Sequence, residues 1–131
     1  MENKKFDLED RLVKFACICL EVCELLPDTK SGETLGYHLS KSSTGAAFIY
    51  DEVHAAESKV DFIHKMKLVL KELRESRINL RVIFEKPLVV NEKVVTALKE
   101  ANALTSIFLK SVHTAEKNNS VRITESEGSK V

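Results

Sequence analysis

Apolar residues recur along this chain at alternating intervals of four and three, in four separate runs. Leu8, Leu12, Phe15, Cys19, Val22 and Leu26 form the first. That spacing places them on one face of a helix from about Asp7 to Leu26, since residues three and four apart share a helical face. Pro27 and the polar cluster Asp28 to Gly32 then end it. Leu35, Leu39, Ser42, Ala46, Ile49, Val53 and Ala56 form the second run. Its middle, Ser42-Ser43-Thr44-Gly45-Ala46-Ala47, is made of small residues that would let a neighbouring backbone come close. Gly45 weakens this helix by about 1 kcal/mol relative to Ala, so packing or function is expected to retain it.

The third run has the clearest start. Ser58 can cap the helix while Asp61 takes the fourth position of a capping box, with Asp in place of the usual Glu. Phe62, Met66, Val69, Leu73, Leu80 and Ile83 carry the seam, with Ser76 its one polar gap; Ile63, Leu70 and Phe84 widen it toward a globular bundle face. Lys86-Pro87 ends this helix and Asn91 can cap the next, whose seam is Val94, Leu98, Ala101, Thr105, Phe108, Val112 and Ala115, supplemented by Leu104 and Ile107.

Four helices of roughly 20 to 27 residues with short connections predict an all-α fold, an antiparallel up-down-up-down four-helix bundle. Residues 1–117 form its single domain. Residues 118–131 lose the apolar period and are expected to be a flexible C-terminal tail. The corner between Val53 and Asp61 has so little turn chemistry that it must be tight or partly helical.

Composition agrees with helices. Four Gly and two Pro in 131 residues leave few interruptions, and 44% hydrophobic content suffices for one core. No apolar run approaches the ~20 residues that cross a bilayer, and Met1 to Asp7 lacks the pattern of a signal peptide. The expectation is a cytoplasmic protein without a membrane span.

Charge sums to zero, with 20 basic and 20 acidic residues, which removes any global field toward nucleic acid or anionic membranes. The distribution is uneven. Residues 1–57 hold 6 basic and 11 acidic residues, residues 58–86 hold 8 and 4, and residues 87–131 hold 6 and 5. Lys67, Lys71, Arg74 and Arg81 form a row along the third helix with Arg77 alongside, and these five are the candidate nucleic-acid-binding residues, since such a row could track phosphates. The competing reading is a solvated face paired with Glu72, Glu75 and Glu85 or with the acidic first helix of a neighbouring subunit.

Other candidate chemistry is thin. Asp51-x-x-His54 and Asp61-x-x-His64 have the spacing of acid/His pairs in di-metal bundles, but the first and fourth seams offer no carboxylates to complete such a centre. Cys17, Cys19 and Cys23 lie in one predicted helix and are expected as small apolar fillers. Gly32-x-x-x-Gly36 sits in a polar setting that means a loop and helix start. No nucleophile elbow, phosphate loop or dinucleotide fingerprint occurs, so no enzymatic activity, cofactor, metal or small-molecule substrate is expected. Phe48, Tyr50, Val13, Leu20 and Val95 fall off the main seams and suggest a subunit interface, with ordinary shoulder packing of each as the alternative.

Ala56-Glu57-Ser58-Lys59-Val60-Asp61-Phe62-Ile63-His64-Lys65, followed by Lys71-Glu72 and Glu75-Ser76, resembles the small bacterial four-helix bundles known as 23S ribosomal RNA intervening-sequence proteins. Lys99 to Leu104 and Leu39 to Ala46 are similar more weakly, and the resemblance covers roughly residues 35–117. Where that family usually has Arg and Asn, this chain has Lys41 and Ile49, and the latter removes a polar partner from Glu52. The resemblance implies a homo-oligomer, a ring of five subunits, and no known reaction. A related bundle, the accessory variability protein of diversity-generating retroelements, is a pentameric nucleic-acid-binding partner of a reverse transcriptase. The expected function is accordingly a non-enzymatic oligomeric scaffold or interaction protein, with the alternative of an accessory protein that binds structured RNA or DNA through the third helix.

Overall fold

The structure, a computed structural model, describes residues 7–129, with side chains described from Asp7 to Asn119. The reading of the N-terminus therefore lies, for residues 1–6, outside the described residues, as do residues 130 and 131. Four helices follow one another: α1 (Leu8–Leu25), α2 (Lys30–Val53), α3 (Lys59–Glu85) and α4 (Glu92–Ser129). Each packs on the next and α4 closes back on α1, the arrangement of an up-down-up-down bundle. The α2–α3 interface is the most extensive and the α1–α4 interface the least.

Side chains start each helix by accepting from the backbone N–H groups that a first turn leaves without partners. Asp7 accepts from Asp10 N–H at 2.9 Å, Thr29 from Gly32 at 3.1 Å, Ser58 from Asp61 at 3.0 Å and Asn91 from Lys93 at 2.8 Å. Asp61 returns the bond one residue further back than a capping box predicts. Its Oδ2 accepts from Glu57 N–H at 3.1 Å, and Lys65 donates to both of its oxygens. These bonds hold the Asp61 carboxyl below its usual range, the ion pair with Lys65 first and the Glu57 N–H second. Between α2 and α3 the backbone stays coiled, Ala55 and Ala56 donating to Glu52 and Val53, so the corner is turned in a few residues.

The four seams meet as one core. Leu12, Phe15, Cys19 and Val22 face Leu39 and Ala46, Met66, Val69, Leu73, Leu80 and Ile83, and Val94, Ala101, Leu104, Phe108 and Val112. Two widening residues of α3, Ile63 and Leu70, are buried, whereas Phe84 is half exposed because it stands at the helix end, past the packed layers. Thr105 occupies a seam position at which its Oγ1 is buried without a hydrogen-bond partner among the described residues. Leaving such a group unmet costs about 1–3 kcal/mol.

Two further expectations need revision. Cys17 is exposed and only Cys19 is fully buried, since Cys17 lies off the Phe15–Cys19–Val22 seam. The segment after Lys117 continues as helix to Ser129. Losing the apolar period removes a packing face but not the backbone hydrogen bonds, and no Pro intervenes. For Tyr50 the shoulder-packing alternative holds: it packs edge-on to Phe108, ring centroids 5.5 Å apart.

Gly32, at the expected helix start, lies in the first turn of α2 and is buried. A Cβ there would collide with the carbonyl oxygen of Pro27, a backbone atom that cannot step aside. Gly32→Ala is therefore expected to destabilise the protein by about 1–3 kcal/mol despite the better helix propensity of Ala. Urea denaturation monitored by circular dichroism measures it, and an unchanged midpoint would contradict the account.

Candidate functional site: the groove between the second and third helices

The small residues of α2 bring α3 close. Ser42 and Ser76, both buried, share a hydroxyl hydrogen bond of 2.7 Å, and Ser42 also donates to the carbonyl of Leu39 at 3.4 Å. The polar gap in the third seam is thus matched by the serine of the second. One turn along, a Cβ at Gly45 would lie 3.3 Å from Glu72 Oε1, so the Glu72 carboxylate rests directly against the α2 backbone.

Above these contacts runs an open groove of about 620 Å³, lined by His38, Lys41 and Ser42 of α2 and by Lys71, Glu72, Arg74, Glu75, Ile78 and Asn79 of α3. Lys71 Nζ bonds Glu75 at 3.0 Å and stands 4.0 Å from Glu72. Lys41 Nζ lies 5.8 Å from the centre of the Tyr37 ring, a cation–π contact at the outer rim. Asn79 donates its amide to the carbonyl of Glu75 at 2.9 Å, which leaves its side-chain oxygen free to accept.

Glu72 is the unusual group. Its side chain retains 20% of its exposure, and it accepts no hydrogen bond among the described residues. Burial pushes its carboxyl above the usual range and repulsion from Glu75 adds to this, while Lys71 and Lys41 pull the other way.

The five candidate phosphate-binding residues do not form a free row. Lys67 pairs with Glu116 of α4 at 2.6 Å, Lys71 with Glu75, and Arg81 with Glu85 at 2.6 Å. Arg74 and Arg77 have no acidic partner within 4 Å among the described residues, and Arg77 is half-buried. Only Lys71 and Arg74 reach the groove. Lys41, Glu72 and Asn79 were not singled out for a site, because their convergence depends on the register of α2 against α3. The signal was indirect: serines at Ser42 and Ser76, one in each seam, mark the level at which the two helices meet.

His54 and His64 are exposed, and no group of three or more His, Cys, Asp or Glu converges among the described residues. Burial pushes the Cys19 thiol up, with a further push from Cys23, and Cys23 Sγ contacts the carbonyl of Gly36 at 3.5 Å. Among the described residues no helix is long and apolar enough to cross a membrane.

A solved structure of a protein of unknown function, from the S23 ribosomal protein family and from Bacteroides thetaiotaomicron, is similar to this chain, with a TM-score of 0.72 and 18% identity. The likeness covers 79% of this chain and 96% of that one. At that identity it is a likeness of fold. No protein-family model matches the chain, and no curated protein does.

Because the folded state favours protonated Glu72, the carboxylate lowers stability as pH rises from the ordinary glutamate value of about 4.3 through the raised folded one. Glu72→Gln is thus expected to raise the denaturation midpoint at pH 7, with the gain vanishing below about pH 4. A pH series of urea titrations tests this, and a variant less stable than the parent at pH 7 would refute it.

Proposed function

We propose that the protein is a non-enzymatic, self-associating helical bundle that serves as a cytoplasmic scaffold or interaction protein. The observation that carries this reading is the outward face of α2. Tyr37, Lys41, Thr44 and Phe48 follow a 4,3,4 spacing, and the two aromatic residues are 62% and 68% exposed in the middle of a helix. Val13 and Leu20 on the adjacent α1, and Ile78 and Val82 on α3, are also exposed. Large apolar side chains grouped on outward faces favour contact with another protein surface. The resemblance of Ala56–Lys65 to the intervening-sequence proteins supports a second copy of this chain as that partner, in a ring of five. Light scattering at micromolar concentration is expected to give a stable oligomer, which Phe48→Glu dissociates without loss of helical circular dichroism. A monomer mass for the parent protein would overturn the proposal.

A second reading, an accessory protein for structured RNA or DNA, is favoured by one observation. Lys41 reaches the same groove as Lys71 and Arg74, so cations from two helices converge there. Lys41 and Arg74 have no acidic partner within 4 Å among the described residues. Gel shifts at low salt are expected to show binding that weakens steeply as salt rises and is lost in the Lys71→Glu, Arg74→Glu double variant. Absence of binding at low salt would eliminate this reading.

A further inference from the structure

Two features of the α2–α3 groove each lower stability, and geometry joins them. Gly45 stands inside a helix, where Gly is about 1 kcal/mol worse than Ala. Glu72 is a mostly buried carboxylate with no hydrogen bond among the described residues. The absent side chain at position 45 is what lets the carboxylate settle against α2, 3.3 Å from where a Cβ would be. An apolar residue would fill that space without the cost of burying charge. The carboxylate is therefore better explained by what it can accept from a ligand.

The surrounding groups show what such a ligand carries. The hydroxyl protons of Ser42 and Ser76 are taken up by each other and by Leu39, and one of the two Asn79 amide protons by Glu75. The deep side of the groove thus presents two acceptors, Glu72 and the Asn79 oxygen, beside the one remaining Asn79 amide proton. The outer side presents Lys41 and Arg74, cationic donors without acidic partners among the described residues. Ile78, half exposed, supplies an apolar contact between them. A complementary ligand is anionic at one end, flat and apolar in the middle, and bears an amino group at the other end. The volume of about 620 Å³ lies within the range of roughly 300–1,000 Å³ that takes small organic ligands.

We propose that this groove binds a nucleotide, its phosphate held by Lys41 and Arg74 and the exocyclic amino group of its base donated to Glu72. The proposal deepens the second functional reading and rests on it for the source of the nucleotide, a unit of a single-stranded chain as opposed to a free molecule. Carboxylates accept from cytosine N4 in just this manner, and Lys and Arg neutralise phosphate.

Isothermal titration with CMP, AMP, GMP and UMP tests it, because uracil has no exocyclic amino group. The first three are expected to bind at least tenfold more tightly than UMP. Glu72→Leu should bring them to the level of UMP, and Lys41→Ala with Arg74→Ala should weaken all four at least tenfold. Equal affinity for UMP, or no binding of any of the four and of oligocytidylate, overturns the proposal. Oligocytidylate and oligouridylate separate the sources. Oligonucleotide binding indifferent to base and to Glu72 sinks the groove proposal and leaves the phosphate-row reading standing. Amino-selective binding of mononucleotides alone upholds the groove and sinks the nucleic-acid reading.

Discussion

The hydroxyl contact between Ser42 and Ser76 is the constraint on which the rest of the bundle depends. A hydrogen bond in the middle of an otherwise apolar interface contributes modestly when made, but costs about 1–3 kcal/mol per group when broken and left buried. A shift of α3 along α2 by one turn would leave the Ser76 hydroxyl without this partner and Ser42 with only the carbonyl of Leu39. The pair thereby selects one register among several that apolar packing alone would tolerate, much as a single buried polar residue fixes register in coiled coils. Everything on that side of the molecule follows. With the register set, Glu72 falls opposite Gly45 and Lys41 reaches the rim shared by Lys71 and Arg74. The most extensive interface of the fold is therefore also the one that shapes its groove.

Part of the surface charge is answered within the chain. Lys14–Asp10, Lys65–Asp61, Lys71–Glu75 and Arg81–Glu85 are pairs one helical turn apart, and Lys67–Glu116, Lys93–Glu21 and Arg11–Glu100 cross between helices. Exposed pairs of this kind add little to stability. Their larger effect is to quench the field of a row that looks basic when only cations are counted. The positive third helix is balanced in net charge by residues 1–57, with 6 basic and 11 acidic residues, and the surface left for recognition is apolar on α2 and mixed in the groove.

Much of the fold was legible because burial follows period. The 4,3 seams through Leu12, Phe15 and Cys19, through Leu39 and Ala46, and through Val94, Ala101 and Phe108 are the core, and Pro27, Ser58 and Asn91 mark where helices stop and start. What escaped reading has physical causes. Gly32 is legible as a helix start, yet its role depends on a steric contact with Pro27 that no period encodes. Tyr50 lies off its seam but leans inward to the ring of Phe108. The α2–α3 groove was illegible for a deeper reason: Lys41 and Glu72 are 31 positions apart in the chain, and only the relative register of two helices brings them together.

The weakest closure in the bundle is that between its first and last helices. α1 is the shortest of the four, its contact with α4 is the least extensive, and across that seam Arg11 clasps Glu100 with two bonds of 2.7 and 3.0 Å. Proteins open in parts, beginning where least apolar area is sealed. Here that part is a terminal helix tied on one side by α2 and latched on the other by an ion pair. Were that latch released, α1 would be held chiefly by α2, so local opening would begin at the α1–α4 seam.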